Sequence, residues 1–188
     1  MALDHVADLI VKMQSGVQGS CVDQEASTYF SQTFKTHFRT LERSIVTNWR
    51  LHRAYYEAQG QLCLATKNTS EAVEIVAMML KTIKGKTCSL PVKKLICEKL
   101  ALMISTKQNY LARQKIHSMM LTVLAASRSS QQRQAFLYYL ENLLPLISSA
   151  HFNQVYAEIF LEFREEPVNQ VLIQWVKLFP AARLRIND

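Results

Sequence analysis

Glycine and proline are scarce in this sequence, with four of each in 188 residues. A sheet protein of that length needs many turn residues between short strands. The scarcity therefore excludes an ordinary all-β chain and favours few, long helices. Cysteine is sparse too: Cys21, Cys63, Cys88 and Cys97 make up the set, and no pair has the short spacing of a zinc knuckle. Met1 to Met13 contains Asp4 and Asp8 and lacks a continuous apolar core, which argues against a secretory leader. Cys63 and Cys97 fall on apolar helical stretches, where a free thiol packs as a small hydrophobe. Reduced thiols and a cytoplasmic or nuclear location are the expectation. No apolar run approaches the roughly 18 residues of a membrane span.

Chemistry-bearing patterns are missing as well. The only glycines are Gly16, Gly19, Gly60 and Gly85, so no phosphate-cradling loop and no Gly-x-Ser-x-Gly elbow can be built. His5, His37, His52, His117 and His151 stand apart from one another and from the cysteines. No Glu-x-x-His pair of the di-metal bundles occurs. Glu158, Glu162, Glu165 and Glu166 form an acidic cluster with no facing carboxylate set. These absences predict a chain that is not an enzyme and takes no metal, cofactor or small-molecule substrate.

What the sequence does contain is helical periodicity. Leu3, Val6, Leu9 or Ile10, and Met13 mark a first helix from Leu3 to Gln14. From about Asp23 to Thr66, Phe30, Phe34, Phe38, Leu41, Ile45, Trp49, His52 and Tyr56 recur every three or four residues. That is either one long spine helix or two helices with an unmarked break. Further helices are expected over 71–84, 91–106, 108–127, 131–149, 150–164 and 167–179. Pro145 should end or kink its helix, and Pro180 should terminate the last one. The segment from Leu95 to Ile104 is apolar almost all round, the mark of a helix packed on several sides.

The fold class expected is all-α, with seven or eight helices in one domain spanning 1–188. Residues 1–66 supply the first helix and the long aromatic helix, 67–180 packed hairpins, and 181–188 a basic tail. Helix pairs recur about every 35–40 residues after position 91, a pitch that suits either an irregular bundle or a short solenoid of stacked hairpins, as in HEAT and armadillo arrays.

Charge is unevenly placed. Residues 61–128 carry eleven Lys/Arg against three Asp/Glu, so essentially all of the net +7 lies there. Lys81, Lys84, Lys86, Lys93 and Lys94 concentrate it near one helix–helix junction. Such a patch attracts acidic protein segments or nucleic acid, although lysine outnumbers arginine and aromatic residues are not interleaved with it. The aromatic stretch offers a second candidate surface: Phe34, Phe38, Trp49, Tyr55 and Tyr56, residue types favoured in interfaces. Leu140-Glu-Asn-Leu143-Leu144 matches a helical docking motif, but its continuation through Phe136, Leu137 and Ile147 reads as core. The function expected is protein–protein interaction or scaffolding within a larger assembly. The partner would be a helix, an acidic segment or a second copy, with nucleic-acid binding through the lysines as the alternative and no role at a membrane.

Overall fold

The computed structural model describes Ile45, residues 47–65, 69–85, 87–106 and 110–186. Among these there is no strand, and no helix is long and apolar enough to cross a membrane. Eight α-helices carry the described chain: α1 (Trp49–Ala65), α2 (Thr69–Lys84), α3 (Leu90–Thr106), α4 (Tyr110–Met120), α5 (Ser130–Leu143), α6 (Ser149–Val155), α7 (Ala157–Glu162) and α8 (Asn169–Arg183). A π-helical turn over Leu121–Ala125 extends α4, and 3-10 turns follow α5 (Leu144–Leu146) and α7 (Phe163–Glu165).

Local chemistry explains most boundaries. The long aromatic segment is not continuous: Thr47 is in a turn and Asn48 is non-helical. Asn48 caps α1, its Oδ1 accepting the N–H groups of Arg50 (3.1 Å) and Leu51 (3.3 Å), two donors a helix start otherwise leaves orphaned. Everything before Ile45, including the expected first helix, lies outside the described residues. Pro91 sits in the first turn of α3, where its missing N–H costs nothing. Pro145 lies just beyond α5, as its chemistry requires. Ser148 opens α6 by accepting the N–H of His151 at 3.2 Å.

Pro180 breaks the rule. It stands inside α8, which runs on to Arg183. A helical proline forfeits its own N–H, leaving the carbonyl four residues earlier without a helical partner. That carbonyl belongs to Val176, on the exposed side of the helix, where water can satisfy it. The last turn then holds because Ala182 is fully buried. Nor is the segment after it loose: the Arg185 guanidinium donates to the Ile147 carbonyl (2.6 Å), and the Asn153 amide donates to the Arg185 carbonyl.

The buried apolar side chains form one continuous cluster. At its centre is α3, which buries Val92, Leu95, Ile96, Cys97, Leu100, Ala101, Met103 and Ile104 around its circumference. Helices α1 and α5 pack on α3, and α8 packs in turn on α5. Close approach of α1 to α3 has a visible cause. Gly60 lies mid-helix in α1, and a Cβ there would stand 2.7 Å from Lys99 Cγ. The lysine stem occupies that space, and its buried ammonium pairs with Glu57. The glycine admits a neighbour, and α1 runs through it unbroken. Around α5, α6 and α7 the core is aromatic, with Phe136 stacked on Phe163 (5.9 Å) and Phe160 packed on Trp175 (5.6 Å). Leu140, Leu143 and Leu144 lie inside this core.

Candidate functional site

The two surfaces expected from sequence fare differently. Tyr55 and Tyr56 are fully buried, their rings edge-to-face at 5.0 Å. The Tyr56 hydroxyl meets the Thr82 hydroxyl of α2, and His52 packs beside it with ring centroids 5.2 Å apart. These side chains belong to the chain's own core, which corrects their assignment to a docking face. Trp49 is 44% exposed at the start of α1 and carries the Arg50 guanidinium 5.2 Å over its ring. Phe34 and Phe38 lie outside the described residues.

The lysine cluster is divided as well. Lys81 and Lys84 are exposed on the last turn of α2, where their charge complements the helix dipole. Lys93 is buried, its ammonium donating to Gln131 Oε1 at 3.1 Å and tying α3 to α5. Lys94 is exposed but holds its ammonium 4.8 Å above the Tyr138 ring, a cation–π contact. Lys86 lies outside the described residues. Of the five, Lys93 is therefore a structural tie rather than a surface charge.

A different surface stands out on α8. Its inner face is Val171, Gln174, Leu178 and Ala182, all buried. Specific polar bonds fix that face. Gln174 donates to Glu141 of α5 at 3.0 Å, and the Trp175 indole donates to the Phe160 carbonyl at 2.7 Å. The approach to the helix is clamped too. Arg133 pairs with Glu166 through two bonds (2.6 and 2.7 Å), and its third nitrogen donates to the Ser127 and Arg128 carbonyls. Glu166 also accepts the N–H of Val168, immediately before α8. The paired guanidinium holds the Glu166 carboxyl below its ordinary range.

With its inner side fixed, α8 turns an apolar row outward. Ile173 and Val176 are each 55% exposed, Pro180 is exposed and Leu184 just past the helix is 88% exposed. Their positions repeat the i, i+3, i+7, i+11 spacing of the inner row, two residues later, which places them on the opposite side. Lys177 and Arg183 flank them, also exposed. A helix that merely faces water carries polar residues there. The sequence held this signal, because Ile173 and Val176 remain once Val171, Leu172, Trp175 and Leu178 are given to the core; a single-stripe reading passes over them.

The cysteines offer no reactive centre among the described residues. Cys63, Cys88 and Cys97 are buried thiols. Cys97 donates to the Ala135 carbonyl at 3.2 Å, and burial pushes the Cys88 thiol up to about 11 and that of Cys97 further. A thiol held protonated is a poor nucleophile. Among the described residues no group of three or more His, Cys, Asp or Glu is placed to hold a metal ion. Comparison with protein families, with curated proteins and with solved structures finds no match for this chain.

Proposed function

We propose that the chain is a protein-binding module whose partner docks on the outer face of α8. The observation that carries this reading is the row of Ile173, Val176 and Leu184, exposed on a helix whose other side is firmly anchored. Covering each of these half-exposed or exposed side chains contributes roughly 1–2 kcal/mol to association. Rigid presentation keeps the ordering cost of binding low. Flanking Lys177 and Arg183 favour a partner that is apolar in the middle and acidic at its edges, such as an amphipathic helix. Stacking of helical hairpins is part of the same proposal. It is supported by the succession in which α1 meets α3, α3 meets α5 and α5 meets α8, with α2 contacting α1, α3, α4 and α5.

Photo-cross-linking from position 173, with a matched probe at exposed Glu158 of α7, tests the reading. Discrete adducts with a protein from position 173 alone, lost on Val176→Glu, are the expected result. Equal adduct patterns from the two positions would exclude the face as a docking site.

A further inference from the structure

Pro180 changes the backbone of α8 in the middle of its exposed row. It stands inside a helix that continues to Arg183. Lacking an N–H, it donates nothing to the Val176 carbonyl, and its ring crowds that carbonyl and turns it outward. At about 100° per residue, Ile173, Val176, Pro180 and Leu184 fall within an arc of about 80°. Lys177 lies just outside one edge of that arc and Arg183 outside the other. The step from Val176 to Pro180 is inside it, so the freed carbonyl is a polar spot within an apolar strip. Val176 is 55% exposed, and Pro180 and Ala181 are exposed beside it. In the isolated chain, water bonds this oxygen.

Docking removes that water. An apolar surface laid over the row would strip the carbonyl and offer nothing in return. A covered acceptor left without a donor weakens association by about tenfold to a hundredfold. A partner with a donor at that point avoids the loss. A cationic donor would be repelled by Lys177 and Arg183 on either side. The donor that fits is neutral: a hydroxyl, a primary amide or an indole N–H.

We propose that α8 selects its partner through the Val176 carbonyl, which Pro180 leaves open to accept a hydrogen bond from a neutral donor side chain on the docked helix. The inference rests on the α8 docking reading and adds the chemistry of the partner's central residue. Pro180 is a positioning residue in this scheme, acting through the carbonyl it leaves unpaired. Its presence inside a helix, which costs stability, then has a use.

An Ile173→Cys variant, labelled with N-ethylmaleimide in cells that make the chain and again after purification, reports how far the row is covered. With Pro180 in place, position 173 should be protected about tenfold in cells, the occlusion given by a partner at some ten times its dissociation constant. Adding Pro180→Leu restores the N–H and keeps apolar bulk. Protection should then fall to about twofold or less, while the melting temperature of the purified chain rises. Weaker docking by a more stable protein separates the lost acceptor from misfolding. Moving the proline by one residue, with Pro180→Ala and Ala181→Pro together, frees the Lys177 carbonyl instead and should also lose protection. Undiminished protection in either variant would overturn the proposal and leave the docking reading standing. No protection of position 173 with Pro180 in place would overturn both.

Discussion

Single residues in this chain do jobs that their type alone does not announce. Gly60 would normally weaken a helix by about 1 kcal/mol relative to alanine, yet it sits where the Lys99 stem crosses α1. Gly60→Ala should therefore lower stability by about 1–2 kcal/mol in chemical denaturation, overpacking outweighing the propensity gain; a stabilised variant would show that Lys99 moves aside freely. Glu166 is a second case. Its side chain is only 4% exposed and fully engaged with Arg133. Glu166→Gln should cost about 3 kcal/mol, because Arg133 is left without its countercharge, and should increase protease sensitivity at the connection before α8. In the sequence Glu166 was visible as one of an acidic cluster. Its partner was not, since the pairing depends on the start of α5 meeting the connection before α8, 33 residues away.

At the level of elements, helix positions were largely legible because apolar spacing and breakers agree. The helix expected over 71–84 is observed over Thr69–Lys84, followed by Gly85, and the all-round apolar segment is the central α3. The departures have local causes. Asn48 divides the aromatic stretch, a cap that a strong apolar period on both sides obscured. Asn48→Ala should cost about 1 kcal/mol and raise hydrogen exchange at Arg50 and Leu51; unchanged exchange would mean the cap bonds contribute nothing. Pro180 was read as a terminator, but anchoring of Ala182 and Arg185 carries the helix past it. Pro180→Ala should raise the melting temperature, since restoring an N–H to an intact helix recovers part of the roughly 3 kcal/mol that an interior proline costs. A lower melting temperature would show that the proline is needed where it stands.

For the molecule as a whole, acid stability follows from the same burial. Both His117 and His151 are shifted down, chiefly by desolvation, His117 to about 4 from an ordinary 6.5. Protonation therefore favours the unfolded chain. Stability from these groups is fully present above pH 6.5 and declines as pH falls toward the folded values. Glu166, also shifted down, adds its loss only below its ordinary 4.5. Urea midpoints should thus begin to fall below about pH 6.5, and replacing His151 with Gln should flatten that first decline. The all-helical class was plain from glycine and proline poverty. The candidate surface was not: aromatic richness pointed to residues 34–56, where Tyr55 and Tyr56 complete the core. The exposed row on α8 becomes visible only once its inner face is known to be occupied.

That row is where the proposed function stands or falls. With Val176→Cys and Glu158→Cys variants, thiol labelling rates can be compared between the purified protein and intact cells that make it. A docked partner predicts that position 176 is protected in cells by about tenfold, the occlusion given by a partner at some ten times its dissociation constant, while position 158 labels equally in both. Equal labelling of position 176 in cells and in isolation would contradict the assignment of α8 as a docking face.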